Sequence, residues 1–224
     1  MSYNKIKVEP FLDGGALRVV LNAPKANILD AEMMGEINQL LDDLPDRQEL
    51  KLLCFTGEGK HFSFGASVPE HVKERAPEML GAFHGMFLRL IELGVPTAAA
   101  VKGRCLGGGM ELACFCNWVV ASPDAVFAQP EIQLAVLPPV ASLILPFKAG
   151  QASADTINLS GRDVAAPEAL DMRLVDEIAD DPMAAVEAWA GAHLAKKSAA
   201  ALRWACRASR WHFNKVVREE IENV

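Results

Sequence analysis

A run of glycines followed by a glutamate gives the first indication of chemistry in this sequence. Glycines 107–109 follow the apolar segment 96–101, and Glu111 lies about one helical turn beyond Gly108. Glycines let a backbone approach a ligand closely, and the unpaired N–H groups of a following helix carry partial positive charge. Such a helix start is suited to hold a developing oxyanion. Glu111 is alternatively a first-turn acid that complements the helix dipole.

Glu131 is the second candidate for proton transfer. It follows a predicted strand and Pro130, a position in which a lone glutamate is usually a solvated turn acid. Apolar residues at 132, 134, 136 and 137 indicate instead that its side chain is partly buried. Burial would raise its pKa and suit it to proton transfer.

The segment 60–68 is the third candidate, because it joins the predicted strand 50–56 to a helix. A turn at this place can direct backbone N–H groups into a cleft. The alternative is a connecting turn that only requires Gly65.

The sequence lacks the motifs of several other kinds of functional site. The segment 57–61 has neither the first glycine nor the Ser/Thr of a phosphate-binding loop, and glycines 107–109 lack the third glycine of a dinucleotide fingerprint. The five histidines have no metal-ligand spacing, so neither a metal nor a separate cofactor is predicted. No nucleophile–histidine arrangement supports a covalent hydrolase.

Charge and cysteine content narrow the class of protein further. A net charge of -7 argues against binding to duplex nucleic acid. No secretory signal and no apolar run of about 18 residues is present, so we expect no membrane segment. An odd count of five cysteines without a signal peptide favours a reducing cytosol, and we expect a cytoplasmic protein.

The surrounding elements predict an α/β fold. A hairpin is predicted over 8–21, and Asp30 is expected to cap a helix that runs to about Leu44. Further helices are predicted over 71–94, 111–117, 140–160 and, as a pair, 182–211. Further strands are predicted over 50–56, 96–101, 118–121, 124–129 and 174–178, and a glycine-rich loop over 103–109. Strand, glycine loop and helix in succession predict stacked ββα units.

The C-terminal residues predict the beginning of one more helix. Residues 217–224 have a helical pattern that stops without a capping glycine or proline. We therefore expect the sequence to end inside a longer natural protein.

Together, the segments 62–66, 107–111 and 129–131 resemble the enoyl-CoA hydratase/isomerase (crotonase) family, and the resemblance runs from about residue 5 to residue 215. It implies a crotonase-type spiral of repeated ββα units with an acyl-CoA site over residues 1–195. Residues 196–224 would begin a C-terminal helical region, truncated relative to the family.

The resemblance also implies roles for particular residues. The backbone N–H groups of Phe64 and Gly108 would hold the thioester carbonyl, and Glu111 and Glu131 would flank a water. The residues that would contact coenzyme A are Lys25, Ala26, Gly65, Ala66, Ser67 and Val68. Coenzyme A belongs to the substrate, and the implied assembly is a homotrimer or a hexamer built as a dimer of trimers.

Within the family, segments 62–67, 105–109, 129–132 and 139–142 are most similar to the dienoyl-CoA hydratases of anaerobic benzoate breakdown. The implied substrate is cyclohexa-1,5-diene-1-carbonyl-CoA and the implied product is 6-hydroxycyclohex-1-ene-1-carbonyl-CoA. Departures from the commoner hydratase pattern disfavour a straight-chain substrate. These are Phe64, Ser67 and the segment Pro138, Pro139, Val140 and Ala141. We expect Phe64 and residues 138–140 to form a stiff apolar slot.

Three alternatives remain open at this point. The first is a straight-chain 2-enoyl-CoA hydratase, and the second is a non-catalytic relative that binds, for instance, RNA. The third is a hydrolase on the same scaffold. The presence of both Glu111 and Glu131 and the acidic charge balance disfavour the non-catalytic relative.

Overall fold

The structure is a computed structural model that describes residues 3–67 and 76–223. Its strands are β1 (Ile6–Phe11), β2 (Ala16–Leu21), β3 (Leu52–Gly57), β4 (Thr97–Val101), β5 (Arg104–Leu106), β6 (Trp118–Ala121), β7 (Val126–Ala128), β8 (Val164–Ala165) and β9 (Glu177–Ile178). Its helices are α1 (Ala31–Asp43), α2 (Ala76–Leu93), α3 (Gly108–Phe115), α4 (Pro139–Ala149), α5 (Gln151–Ser160), α6 (Ala166–Asp171), α7 (Pro182–His193), α8 (Ala199–Ser209) and α9 (Trp211–Glu220). A 3₁₀ helix spans Pro130–Leu134.

Two sheets form the framework of the described residues. The larger has the strand order β1-β2-β3-β4-β6-β9, and the smaller has the order β5-β7-β8. After the antiparallel β1–β2 hairpin, the strands of the larger sheet pair in parallel. Strands β4 to β7 alternate between the two sheets, and β4 and β5 directly precede α3. This arrangement is the predicted spiral of ββα units.

Burial on both faces explains why the central strands form. Every residue of β3 and of β4 is buried. Leu53, Phe55 and Ala99 belong to the main core, whereas Cys54 and Ala98 belong to a second cluster that includes residues of α7. A parallel sheet covered on both faces requires such continuous apolar strands.

Most predicted elements are confirmed within a few residues, and Asp30 caps α1 by accepting the Met33 N–H at 2.9 Å. The predicted loop over 103–109 is wrong, because it contains β5 and the first two residues of α3. Strand β5 forms through parallel pairing with β7, a partner distant in sequence. The 3₁₀ helix, β8 and α6 were not predicted. Residues 71–75, the predicted start of α2, lie outside the described residues.

The C-terminal helices pack onto the core. The prediction that the last helix begins at 217 is wrong, since α9 begins at Trp211. Phe213, Val217 and Ile221 are spaced four apart, so they lie on one helix face and join the main core. No helix among the described residues is both long enough and apolar enough to cross a membrane.

Candidate active site

The start of α3 lies against the loop 62–66. The Phe62 N–H bonds to the carbonyl oxygens of Lys102 and Arg104 at 2.9 and 3.0 Å, and the Leu106 N–H donates to the Ser63 oxygen at 2.9 Å. These bonds continue β5 into the loop. As a result, the Ala66 nitrogen lies 3.4 Å from the position that a Cβ on Gly108 would take.

Two N–H groups in this region have no hydrogen-bond partner among residues 3–67 and 76–223. Gly108 is the first residue of α3, so its N–H has no carbonyl of its own helix to bind. Neither the Gly108 N–H nor the Ala66 N–H donates a hydrogen bond to any residue that the structure describes. The two donors therefore lie close together and remain available to a ligand.

Phe64 does not have a free donor. Its N–H donates to the Ala26 carbonyl at 2.8 Å, and the Gly65 N–H donates to the Ser63 hydroxyl at 3.0 Å. Both N–H groups are thus consumed in holding the loop. The structure corrects the prediction at Phe64, because the neighbouring free donor belongs to Ala66.

Glu111 is buried in the first turn of α3, with its side chain directed at the start of α4. The residue is 2% exposed, and one carboxyl oxygen accepts the Ala141 N–H at 2.7 Å. Burial, assisted by repulsion from Glu131, raises the pKa of Glu111 to about 8. The N–H groups of Ala141 and Val140 act in the opposite direction, since they favour the charged form.

Glu131 lies on the 3₁₀ helix, and its carboxyl packs against Gly107. A side chain on Gly107 would overlap Oε1 of Glu131, and Gly107 has a φ of +50°. Burial raises the pKa of Glu131 to about 7. Its Oε2 atom is buried and has no hydrogen-bond partner among the described residues. The predicted burial of this carboxyl is confirmed, although the apolar residues after it are exposed.

The two carboxyls open into one apolar cavity of about 390 Å³. The residues that line it are Ala66, Ala76, Met79, Leu80, Phe83, Gly108, Glu111, Glu131, Ala135, Val136, Leu137 and Pro139. Glu111 and Glu131 are the only ionisable groups among these lining residues. The cavity can therefore hold an apolar group whose polar end reaches the Ala66 and Gly108 N–H groups.

The predicted slot is only partly present. Pro139 lines the cavity, but Pro138, Val140 and Phe64 are not among its lining residues. The Phe64 ring is instead in edge contact with His61, with centroids 5.1 Å apart. The opposite wall comes from α2, whose contribution the sequence pattern did not indicate.

The predicted coenzyme A contacts lie around the loop 62–66. Lys25 is exposed, and Ala26 joins the loop through its bond from Phe64. Gly65 is buried, Ala66 and Ser67 are half-buried, and Val68 lies outside the described residues. Within 3–67 and 76–223, no cluster of three His, Cys, Asp or Glu side chains could hold a metal ion.

Sequence reasoning missed three contributors to this site. Ala66 was predicted only as a coenzyme A contact, Ala141 was noted only as part of an unusual segment, and Gly107 was not linked to Glu131. The only available signal was glycine itself. Gly65 and Gly107 have positive φ values of 92° and 50°, and each lies beside a group that faces the cavity.

Comparison with known proteins gives concordant matches. Residues 13–223 match the family model described as enoyl-CoA hydratase/isomerase. The chain is 41% identical over 212 residues to a cyclohexa-1,5-dienecarbonyl-CoA hydratase of Thauera aromatica, covering 95% of this chain and 82% of that protein. It is 34% identical over 224 residues to a probable enoyl-CoA hydratase, echA8, of Mycobacterium tuberculosis, covering 98% and 86%.

A solved structure of DspI from Pseudomonas aeruginosa is similar in fold. It superposes with a TM-score of 0.89 at 27% identity, covering 100% of this chain and 87% of that chain. An enoyl-CoA hydratase/isomerase from Xanthobacter autotrophicus Py2 superposes with a TM-score of 0.87 at 29% identity, covering 99% and 85%.

The raised pKa of Glu111 predicts a pH-dependent cost to stability. The charged form is disfavoured in the fold, so the wild type should lose stability relative to Glu111→Gln as pH rises from 4.5 to about 8. Each pKa unit corresponds to about 1.4 kcal/mol, and the Gln oxygen can still accept the Ala141 N–H. Urea unfolding at pH 5 and pH 9 measures the difference. Equal pH dependence in the wild type and Glu111→Gln would contradict the expectation.

Proposed function

The chain belongs to the enoyl-CoA hydratase/isomerase family, and from this premise we propose that it hydrates cyclohexa-1,5-diene-1-carbonyl-CoA to 6-hydroxycyclohex-1-ene-1-carbonyl-CoA. The observation that carries the proposal is the pairing of two buried carboxyls with two free N–H donors at one apolar cavity. The 41% identity to a hydratase of that name supports the cyclic substrate.

The thioester carbonyl is proposed to bind between the N–H groups of Ala66 and Gly108. Both donors lie at the cavity, and the Gly108 N–H also carries the partial positive charge of the α3 N-terminus. Hydrogen bonds to the carbonyl oxygen draw electrons from the conjugated diene. They stabilise the transition state more than the substrate, because negative charge develops on that oxygen.

The coenzyme A part of the bound substrate is proposed to extend out of the cavity past the loop that contains Lys25 and Ala26. This loop is tied to the Phe64 N–H, so it lies beside the proposed carbonyl site. Lys25 is exposed and can pair with a phosphate. Such local groups are needed because the protein has a net charge of -7.

Glu111 is proposed to be the base and Glu131 the acid. Two nearby buried carboxyls resist being charged together, so one proton remains on the pair over an interval of pH. The α4 N–H groups favour charge on Glu111, whereas the buried Oε2 of Glu131 has no donor among the described residues. Repulsion from a charged Glu131 contributes to the higher pKa of Glu111. This repulsion is absent while Glu131 holds the proton, so Glu111 can then be the charged base.

The proposed reaction is a 1,4-addition of water across the diene. Glu111 takes a proton from water as the oxygen bonds to C2, the ring carbon β to the thioester. The electron pair moves through C1 towards the carbonyl oxygen, which Ala66 and Gly108 hold. Glu131 gives its proton to C5, the far end of the diene, and the double bond forms between C1 and C6. Transfer of the proton from Glu111 to Glu131 restores the starting state.

A straight-chain 2-enoyl-CoA is the second candidate substrate. The 34% identity to a probable enoyl-CoA hydratase favours it, and the same two carboxyls could add water to such a chain. A purely binding role is disfavoured because both carboxyls are present and have raised pKa values. The apolar cavity wall, which includes Pro139 and Phe83, supports the ring over the chain.

A homotrimer or a hexamer built from two trimers is the proposed assembly, and the cytoplasm is the proposed location. Exposed apolar side chains at Leu134, Leu137, Leu159, Trp204 and Trp211 support association, and five free cysteines fit a reducing compartment. Light scattering during gel filtration should give three or six times the 24.2 kDa chain mass. A monomer would contradict the assembly.

Removal of the Gly108 N–H should lower kcat by roughly 10² to 10³, the usual contribution of one such donor. Proline is compatible with the first position of a helix, so Gly108→Pro can keep α3. A Cβ on Gly108 would already contact the Phe83 ring at 3.0 Å. Gly108→Ala, which keeps the N–H but adds the same crowding, is therefore the matched control. Equal losses in the two variants would exclude the N–H as the cause.

The shared proton predicts a bell-shaped pH profile for kcat/KM. Activity should fall below about pH 7, where both carboxyls are protonated, and above about pH 8, where both are charged. Glu111→Gln and Glu131→Gln should each lower kcat by roughly 10² to 10⁴, and Glu131→Gln should also lose the alkaline limb. A single limb in the wild type, or near-full activity in either variant, would refute the paired mechanism.

Substrate preference separates the two candidate reactions. We expect a higher kcat/KM with the cyclic dienoyl-CoA than with crotonyl-CoA, whose smaller acyl group leaves part of the cavity empty. Apolar fit contributes about 1–3 kcal/mol per methylene-sized mismatch, so a weak activity with crotonyl-CoA should persist. Equal or better turnover of crotonyl-CoA would favour the straight-chain hydratase and leave the roles of the carboxyls unchanged.

A further inference from the structure

The segment that carries Glu131 has little support from its own side chains. No residue of the 3₁₀ helix Pro130–Leu134 is fully buried, and Ile132 and Leu134 are 41% and 58% exposed. A short helix of this kind does not fix a carboxyl by itself. Its position must depend on the few neighbours that it contacts.

Gly161 is the neighbour that this segment packs against. It is buried at the C-terminus of α5, with a φ of +62°. A Cβ on Gly161 would lie 2.8 Å from Cγ2 of Ile132 and 3.1 Å from the carbonyl oxygen of Gln129. The side-chain amide of Gln133 also donates to the Gly161 carbonyl at 3.2 Å. Gly161 therefore contacts residues on both sides of Glu131 in the sequence.

Contacts at Gly107 restrict the carboxyl itself. Since a side chain on Gly107 would overlap Oε1 of Glu131, the carboxyl lies directly on that backbone. The segment thus meets one glycine at its carboxyl and another at its backbone. Neither place has room for an added methyl group without a shift of the segment.

We propose that Gly161 is a positioning residue, whose missing side chain seats the 3₁₀ helix so that the Glu131 carboxyl lies against Gly107 and beside Glu111. The proposal rests on the proposed function in so far as Glu131 is the acid of the reaction. Gly161 itself touches neither the cavity nor the proposed substrate.

Substitution at Gly161 tests this directly. Gly161→Ala adds the Cβ, and Gly161→Asn adds it with less backbone strain because asparagine tolerates a left-handed conformation. The matched control is Gly150→Ala at the other end of α5. Gly150 has a φ of +81° and a ψ of 158°, a conformation nearly restricted to glycine, and its Cβ would meet nothing within 4 Å. The control thus carries backbone strain without a neighbour to displace.

Titration of Glu131 by carboxyl ¹³C NMR is the primary readout, because it needs no substrate. In both Gly161 variants the pKa of Glu131 should fall from about 7 towards the ordinary 4.5, as the carboxyl leaves its buried place. In Gly150→Ala it should stay near the wild-type value. If the Gly161 variants fold and titrate like the control, the proposal is wrong.

Kinetics with the cyclic dienoyl-CoA supply the second readout. The Gly161 variants should lose at least tenfold in kcat with little change in KM, and their pH profile should shift to lower pH, unlike Gly150→Ala.

If neither Gly161 variant folds, Ile132→Ala removes the exposed side chain that contacts Gly161, and a fall in the pKa of Glu131 is again expected. An unchanged value there would overturn the proposal. A wild type inactive on both cyclic and linear enoyl-CoA would refute the proposed function alone, since the titration still decides the positioning.

Discussion

The close approach of the first turn of α3 to the loop 62–66 is the constraint on which the site depends. A side chain on Gly109 would overlap Ser63, and a side chain on Gly108 would crowd Phe83. Glycine at both positions lets the helix start contact the loop directly. Ser63 is held in turn by its hydroxyl bond to the Asn27 carbonyl at 2.7 Å. Backbone packing therefore determines where the two free N–H groups lie.

The N-termini of two helices, α3 and α4, direct N–H donors towards different groups around the cavity. The start of α3 leaves the Gly108 N–H free, whereas the start of α4 gives its Ala141 N–H to Glu111. Prolines at 138 and 139 have no N–H, so α4 offers fewer donors to a ligand. Burial raises the pKa values of both carboxyls into the neutral range, where a group can both accept and release a proton.

Features that depend on neighbouring residues could be predicted from the sequence, whereas features that depend on contacts between distant segments could not. Local signals sufficed for the Asp30 cap and the buried strand β4. They marked Glu111 and Glu131 only as candidates, and the family resemblance implied their pairing. Strand β5 escaped prediction because its pairing with β7 is not local. The donor was assigned to Phe64 because spacing alone does not reveal that Ala26 accepts its N–H. The contact of Gly161 with Ile132 likewise joins distant segments and has no sequence signature.

The proposed mechanism requires a thioester carbonyl to lie between two N–H groups and above the carboxyl pair. A crystal structure with cyclohexanecarbonyl-CoA, whose saturated ring cannot be hydrated, tests it most directly. We expect the carbonyl oxygen to lie about 2.7–3.1 Å from the nitrogens of both Ala66 and Gly108, with the ring beside Glu111 and Glu131. A carbonyl oxygen bound to the Phe64 nitrogen, or one that does not reach Gly108, would contradict it.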